Sequence, residues 1–232
     1  MFALRAAMKA TGPAHLASPA NPFAWPPTCP RGPRVCRIGY GRPMSRPSLD
    51  RAYFARIYTE SPDPWSFATS PYERAKYAAT IDALDGRTFR SGFEIGCSIG
   101  VLTQALAGPC ANLLAIDIDE RALAAARARC ARLAHVRFEA MAFPRDRPTN
   151  DFDLIVISEV GYYWSDDDLA TAIDFAATET GTVVELVHFL PYVEEYLRDG
   201  DGVHERFIGD PRFEMLHSRR EERYRIDVLC VR

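Results

Sequence analysis

The chain has 232 residues, 47% of them apolar and 25% charged, with a formal net charge of −3. Such values fit one globular α/β domain with appendages, and no stretch approaches the ~18 consecutive apolar residues of a membrane span. Six scattered cysteines without a C-x-x-C pair exclude a disulfide framework and a standard zinc site, and they place the protein in the reducing cytoplasm.

The first 46 residues stand apart, with seven Lys/Arg, no acid, and prolines crowded between Pro13 and Pro47. Such a stretch builds no packed core, and disorder is expected there. Three explanations stay open: an upstream extension with Met44 as the true start, a basic tail, or a targeting peptide lacking a clean apolar core. The first is favoured because Ser45-Arg46-Pro47-Ser48-Leu49-Asp50 leads straight into a helical pattern. Without those seven cations, 21 Lys/Arg face 31 Asp/Glu, a net of −10. An acidic body argues against a nucleic-acid partner.

Residues 47–232 read as one domain. A helix is expected over 48–58, with Ser48 as N-cap and Tyr53, Phe54 and Ile57 on one face. Ser61-Pro62-Asp63-Pro64 stops it. Ser70 or Thr69 caps a second helix from Pro71 to about Leu84. Strands are expected over 93–95, 112–116, 136–139, 153–158 and 182–188. Between them fall helices over 99–107, over 120–133 capped by Asp119, and over 166–178, with a short one over 203–207. Segments 213–218 and 224–231 close the chain as an antiparallel pair. Alternating strands and helices followed by a hairpin predict a Rossmann-like, doubly wound, mostly parallel sheet with helices on both faces.

The chemistry concentrates at Phe93-Glu94-Ile95-Gly96-Cys97-Ser98-Ile99-Gly100. Gly96 and Gly100 tolerate φ > 0 and let backbone approach a ligand. The G-x-G-x-x-G spacing that holds a pyrophosphate is missing. Asp117, at the end of the second strand, stands where an acid bonds ribose hydroxyls. Acid, glycines, helix and second acid in that order select S-adenosyl-L-methionine over a dinucleotide. Cys97 is read as a packing residue, since no motif puts a base beside it.

Several segments carry a family resemblance: Asp63-Pro64-Trp65, Tyr72-Glu73-Arg74-Ala75-Lys76-Tyr77, the glycine loop, Ala115-Ile116-Asp117 and Ser158-Glu159-Val160-Gly161-Tyr162-Tyr163. The chain resembles class I S-adenosylmethionine-dependent methyltransferases, and more narrowly the nodulation protein S family, over roughly residues 48–209. The resemblance implies a seven-stranded sheet with an antiparallel terminal strand. Its type activity is N-methylation of a sugar amine, and a shared scaffold does not carry that acceptor over. In the superfamily an acid after strand three often contacts adenine; here Met141 stands at that place. Met141 and Phe143 are expected to sandwich the ring instead.

Cofactor contacts are expected from Trp65, Arg74, Glu94, Gly96, Cys97, Ser98, Gly100, Asp117, Ile118, Met141, Ala142 and Ser158. The segment 48–86 would fold over the cofactor as a lid, Trp65 giving apolar cover and Arg74 pairing the methionine carboxylate. Glu159, ending strand four, is read as a base or as a carboxylate holding an ammonium. His188 and His204 are further base candidates. Tyr162 and Tyr163 would floor the acceptor pocket, with cation–π contact available. The ordinary alternatives stand beside these readings: a solvated acid, satisfied core histidines, plain aromatic packing, a surface ion pair at Arg74. No ligand spacing supports a metal. The expected function is methyl transfer to a small-molecule acceptor, preferably nitrogen, with an O-methyltransferase or a non-catalytic cofactor-binding domain as alternatives.

Overall fold

The computed structural model describes residues 46–149 and 151–232; the expectations for residues 1–45, Met44 included, lie outside them. In chain order the elements are α1 (Arg51–Glu60), α2 (Pro71–Ala83), β1 (Gly92–Ile95), α3 (Val101–Leu106), β2 (Leu113–Asp117), α4 (Glu120–Arg129), β3 (Val136–Ala140), β4 (Leu154–Ser158), a 3-10 turn (Gly161–Tyr163), α5 (Asp166–Ala176), β5 (Val183–Phe189), α6 (Gly200–Ile208), β6 (Phe213–Arg220) and β7 (Tyr224–Val231). Among the described residues no helix is long and apolar enough to cross a membrane.

The seven strands form one sheet of order β3-β2-β1-β4-β5-β7-β6. The first five pair in parallel, and β7 runs antiparallel to both β5 and β6. The last strand therefore slots inside the sheet and leaves β6 at the edge. Strands β1, β2 and β4 are buried along their whole length, because helices cover both faces and continuous apolar runs are what such strands require. Leu114, Ile157, Leu186 and Leu229 meet Leu169 and Ile173 of α5 and Phe207 of α6 on one face. Leu113, Val156, Val187 and Val228 meet Ala79 and Ala83 of α2 and Leu102 and Leu106 of α3 on the other.

The helix starts follow their caps. Ser70, Asp119 and Ser165 each accept a first-turn N–H, and Pro71 occupies the first turn of α2. The start of α1 differs from expectation. Asp50 is its cap, accepting from Tyr53 N–H at 3.0 Å. Ser48 instead accepts from Ser165 N–H at 2.7 Å and donates to Asp168, tying the entry of α1 to α5. Helix α6 is longer than expected because Asp199 caps it early, accepting from Gly202 N–H at 2.7 Å.

Candidate active site

The strand order reverses between β1 and β4, where open α/β sheets bind ligands beyond the strand C-termini. The loop after β1 and the loop after β4 touch there. A Cβ on Gly96, whose φ is +85°, would meet Ser158 O at 3.2 Å and run into Val160 Cγ1. Gly100, at φ +77°, is needed for a different reason: its Cβ would lie 2.9 Å from Ala126 Cα and Cβ on α4.

The glycine loop spends its own N–H groups internally. Gly96 and Cys97 both donate to Ile116 O at 2.9 Å, Gly100 donates to Cys97 O at 2.9 Å, and Ser98 donates to Asp117 Oδ2 at 2.9 Å. A pyrophosphate cradle of free N–H groups is thereby used up. Asp117 also accepts from Asp119 N–H through Oδ1 at 2.9 Å. It is fixed at both oxygens while keeping lone pairs for hydroxyl donors, and burial pushes its carboxyl up to about 6. Met141 N–H donates to Asp117 O at 3.1 Å, which brings the segment after β3 to the same strand end. Ala142 N–H is taken by Asp146 Oδ2 at 2.9 Å, so this loop does contain an acid, five residues beyond Met141.

Glu94 lies beneath the loop, 1% exposed, and its Oε2 has no hydrogen-bond partner. Burial lifts its carboxyl to about 8. A buried carboxyl oxygen without a partner is costly unless something pairs it, and a cationic ligand group that draws off its proton is a fitting complement. Cys97 is 4% exposed, and burial raises its thiol well above the ordinary value. It packs with Ala115 and Leu123 and is no nucleophile.

Segment 48–86 covers this loop through a contact the sequence did not disclose. Tyr58 is buried and shares a 2.6 Å hydrogen bond with Ser98 Oγ. Trp65 stands edge-on to Tyr58 at 5.6 Å and stacks on Phe67 at 5.4 Å. Asp63 holds the turn by accepting from Phe67 and Ala68 N–H at 2.8 and 3.0 Å. Arg74 departs from expectation: it is exposed on α2. The buried side of that helix is Glu73, Lys76 and Thr80, a 3.6-residue spacing that turns Arg74 outward. The cation reaching inward is Lys76.

Beyond the end of β4, Glu159 adopts φ +58°. Its carboxylate receives the Lys76 ammonium at Oε1, and at Oε2 the Tyr162 hydroxyl at 2.6 Å and Phe189 N–H at 3.0 Å. Lys76 is 1% exposed and also lies 2.9 Å from Glu73 Oε2. Burial alone would lower its pKa, but the Glu159 and Glu73 carboxylates outweigh that and hold it above the usual lysine value. The Tyr162 ring stacks on Tyr196 at 3.9 Å, and Tyr163 meets Phe54 edge-on at 5.0 Å.

His188 and His204 are both 0% exposed, and their ring nitrogens are committed to bonds inside the fold. Neither offers a free nitrogen to a reacting group, so the geometry opposes the base role expected for them. Tyr58, Lys76 and Tyr196 were not among the expected site residues, and the structure brings them to Ser98, Glu159 and Tyr162. For Lys76 a signal existed in the Glu73, Lys76, Thr80 spacing, which marks one helix face. Tyr58 and Tyr196 gave none, since their contacts lie 40 residues away and across a loop.

A parallel sheet reversed only at β7, with its switch point framed by a glycine loop and two acids, is the fold of class I S-adenosylmethionine-dependent methyltransferases. Comparison with known proteins refines the class. The sequence model of the family described as nodulation protein S (NodS) matches residues 54–178. Nodulation protein S of Bradyrhizobium diazoefficiens is 35% identical over 106 residues, 45% of this chain and 50% of that protein. The Rhizobium tropici protein is 32% identical over 105 residues, 45% and 44% of the two chains. The chain thus spans about half the length of the curated relatives it matches. The structure of N-methyltransferase NodS from Bradyrhizobium japonicum WM9, in complex with S-adenosyl-L-homocysteine, superposes with a TM-score of 0.69 at 23% identity, covering 78% of this chain and 97% of that one. A solved chain from Pseudomonas syringae reaches 0.60 at 32% identity, covering 69% and 99%. The protein belongs to the nodulation protein S family.

Proposed function

We propose that the chain is an S-adenosylmethionine-dependent methyltransferase acting on a nitrogen of a small-molecule acceptor. The observation that carries the cofactor half is the orphaned Glu94 Oε2 beneath a loop pinned by Asp117. Nitrogen as acceptor is supported by the N-methyltransferase NodS fold relative. S-adenosylmethionine supplies the methyl group as an electrophile on a sulfonium. Glu94 would hold a cationic group of the cofactor, and Asp117 its ribose hydroxyls. Met141 and Ala142 would contact the adenine, and Tyr58 and Trp65 would cover the ligand.

On the acceptor side the residues supply position, an effect worth several kcal/mol of barrier in pre-arranged reactions. Glu159 is occupied by three protein donors and serves as a fixed negative charge. The acceptor amine needs a free lone pair, and its proton leaves to water. Tyr162 and Tyr163, packed on Tyr196 and Phe54, would floor the acceptor pocket. Four described cysteines, Cys97, Cys110, Cys130 and Cys230, are free, which supports the cytoplasm as the working compartment.

The test is a methyl-transfer screen of the full chain over amines, amino sugars and phenols, with cofactor binding measured by calorimetry against NAD. Heat with S-adenosylmethionine alone, and product with an amine, is expected. Heat with NAD, or product with phenols only, contradicts the reading.

A further inference from the structure

A line of hydrogen bonds leaves the acceptor side and runs through the sheet. Gly161 N–H donates to His188 Nε2 at 3.1 Å. An amide nitrogen only donates, so Nε2 carries no proton and the His188 proton sits on Nδ1. Nδ1 faces His204 Nε2 at 3.1 Å; that nitrogen must accept, which puts the His204 proton on its own Nδ1. His204 Nδ1 lies 2.7 Å from Asp227 Oδ2, and Asp227 Oδ1 accepts from Ser218 Oγ at 2.6 Å. One backbone donor at one end and one carboxylate at the other fix the direction of every bond between them.

The surroundings agree with that polarity. His188, His204 and Asp227 are 0% exposed. Burial lowers the pKa of both imidazoles, against the opposing pull of Asp227 on His204, which keeps the rings neutral. Burial would raise the Asp227 carboxyl, but the bonds from His204 and Ser218 outweigh it and hold it low, as an acceptor must be. Gly161 is independently tailored to the contact: a Cβ there would lie 2.9 Å from His188 Nε2 and 2.5 Å from Val203 Cγ1.

The line ends where the acceptor chemistry is read. Gly161 opens the turn bearing Tyr162, whose hydroxyl donates to Glu159. His188 is followed directly by Phe189, whose N–H donates to the same Glu159 oxygen. The two residues held by His188, its bonded partner and its chain neighbour, are thus those that fix Glu159 and Tyr162.

We propose that His188, His204, Asp227 and Ser218 form a hydrogen-bond relay of fixed polarity that positions the Gly161–Tyr163 turn, and through it Glu159 and Tyr162, for the methyl acceptor. The four are positioning residues, and the proposal rests on reading Glu159 and Tyr162 as the acceptor side of a methyltransferase.

The test has two arms. In the cofactor-free full chain, imidazole nitrogen NMR near neutral pH is expected to show Nδ1–H and bare Nε2 on both His188 and His204. A proton on Nε2 of either ring overturns the relay. In His204→Gln, Gly161 amide exchange is expected to rise about tenfold, the equivalent of one ordinary hydrogen bond, while protection in β1 and β2 holds. With an acceptor in hand, kcat is expected to fall about tenfold with cofactor Kd within about twofold. Unchanged Gly161 protection overturns the positioning role; unchanged kcat with lost protection overturns its link to the acceptor. If the wild-type chain transfers no methyl group, the functional reading fails, while the tautomers and Gly161 exchange still decide the relay.

Discussion

The Lys76 ammonium lies against the Glu159 carboxylate, joining helix α2 to the end of strand β4 with Lys76 only 1% exposed. The contact ties helix α2 to the loop after β4. It also decides what Glu159 can do, because the carboxylate already has three donors.

Removing one partner of a buried ion pair leaves an uncompensated charge, at a cost of about 3–5 kcal/mol. Lys76→Met is expected to destabilise the chain by that order, since Glu73 and Glu159 then face each other unpaired. The double variant Lys76→Met/Glu159→Gln is expected to be less destabilised than the sum of the singles. Denaturant unfolding of the four forms gives the coupling directly.

Glu94 is expected to make cofactor binding release protons, if it holds the cationic group proposed for it. At pH 7 its carboxyl, raised to about 8 by burial, is protonated in the free chain. A bound cation favours the carboxylate, so about one proton should leave per cofactor bound. Calorimetry at pH 7 in two buffers of different ionisation enthalpy reads it, and Glu94→Gln should release none. The sign for stability follows. A carboxyl whose folded pKa exceeds its ordinary value of 4.5 binds more protons folded than unfolded. Its contribution to stability therefore declines as pH rises from 4.5 through about 8. Glu94→Gln should be more stable than wild type at alkaline pH and no different at strongly acidic pH.

Tyr58 and Arg74 separate the two readings of the lid. Tyr58→Phe removes the bond to Ser98 and should cost about 1 kcal/mol of stability, with weaker cofactor affinity. Arg74→Ala, on the exposed face, should leave stability within about 0.5 kcal/mol and cofactor affinity unchanged. A large affinity loss for Arg74→Ala in calorimetry would restore the carboxylate-pairing role.

Gly100→Ala tests the packing of the loop on α4. The new Cβ meets Ala126 backbone at 2.9 Å with φ at +77°. Backbone strain of this kind costs roughly 1–3 kcal/mol before the clash is counted. Thermal unfolding should register it, and Ala126→Gly should recover the part due to the Ala126 Cβ.

The sheet was legible because its signals are local: continuous apolar runs at β1, β2 and β4, caps at Ser70 and Asp119, and a glycine turn between. The seven strands and the reversed β7 follow from that pattern with the family resemblance. The 3-10 turn at Gly161–Tyr163 was not legible, because three residues carry no period. The cap of α1 was misread because Ser48 and Asp50 are both good cap residues, and only the tertiary partner Asp168 draws Ser48 away. Sequence places Glu159 and His188 at strand ends, where bases act. It cannot show that Lys76 arrives from 83 residues away, or that Gly161 and His204 consume the imidazole nitrogens.

The most direct test of the central claim is transfer of an isotopically labelled methyl group from S-adenosylmethionine, catalysed by the full chain, to a panel of primary amines and amino sugars, with the labelled atom located by NMR. The account predicts label on nitrogen, and its loss in Glu94→Ala. Saturable cofactor binding with no label on any amine, or label on oxygen alone, would contradict it.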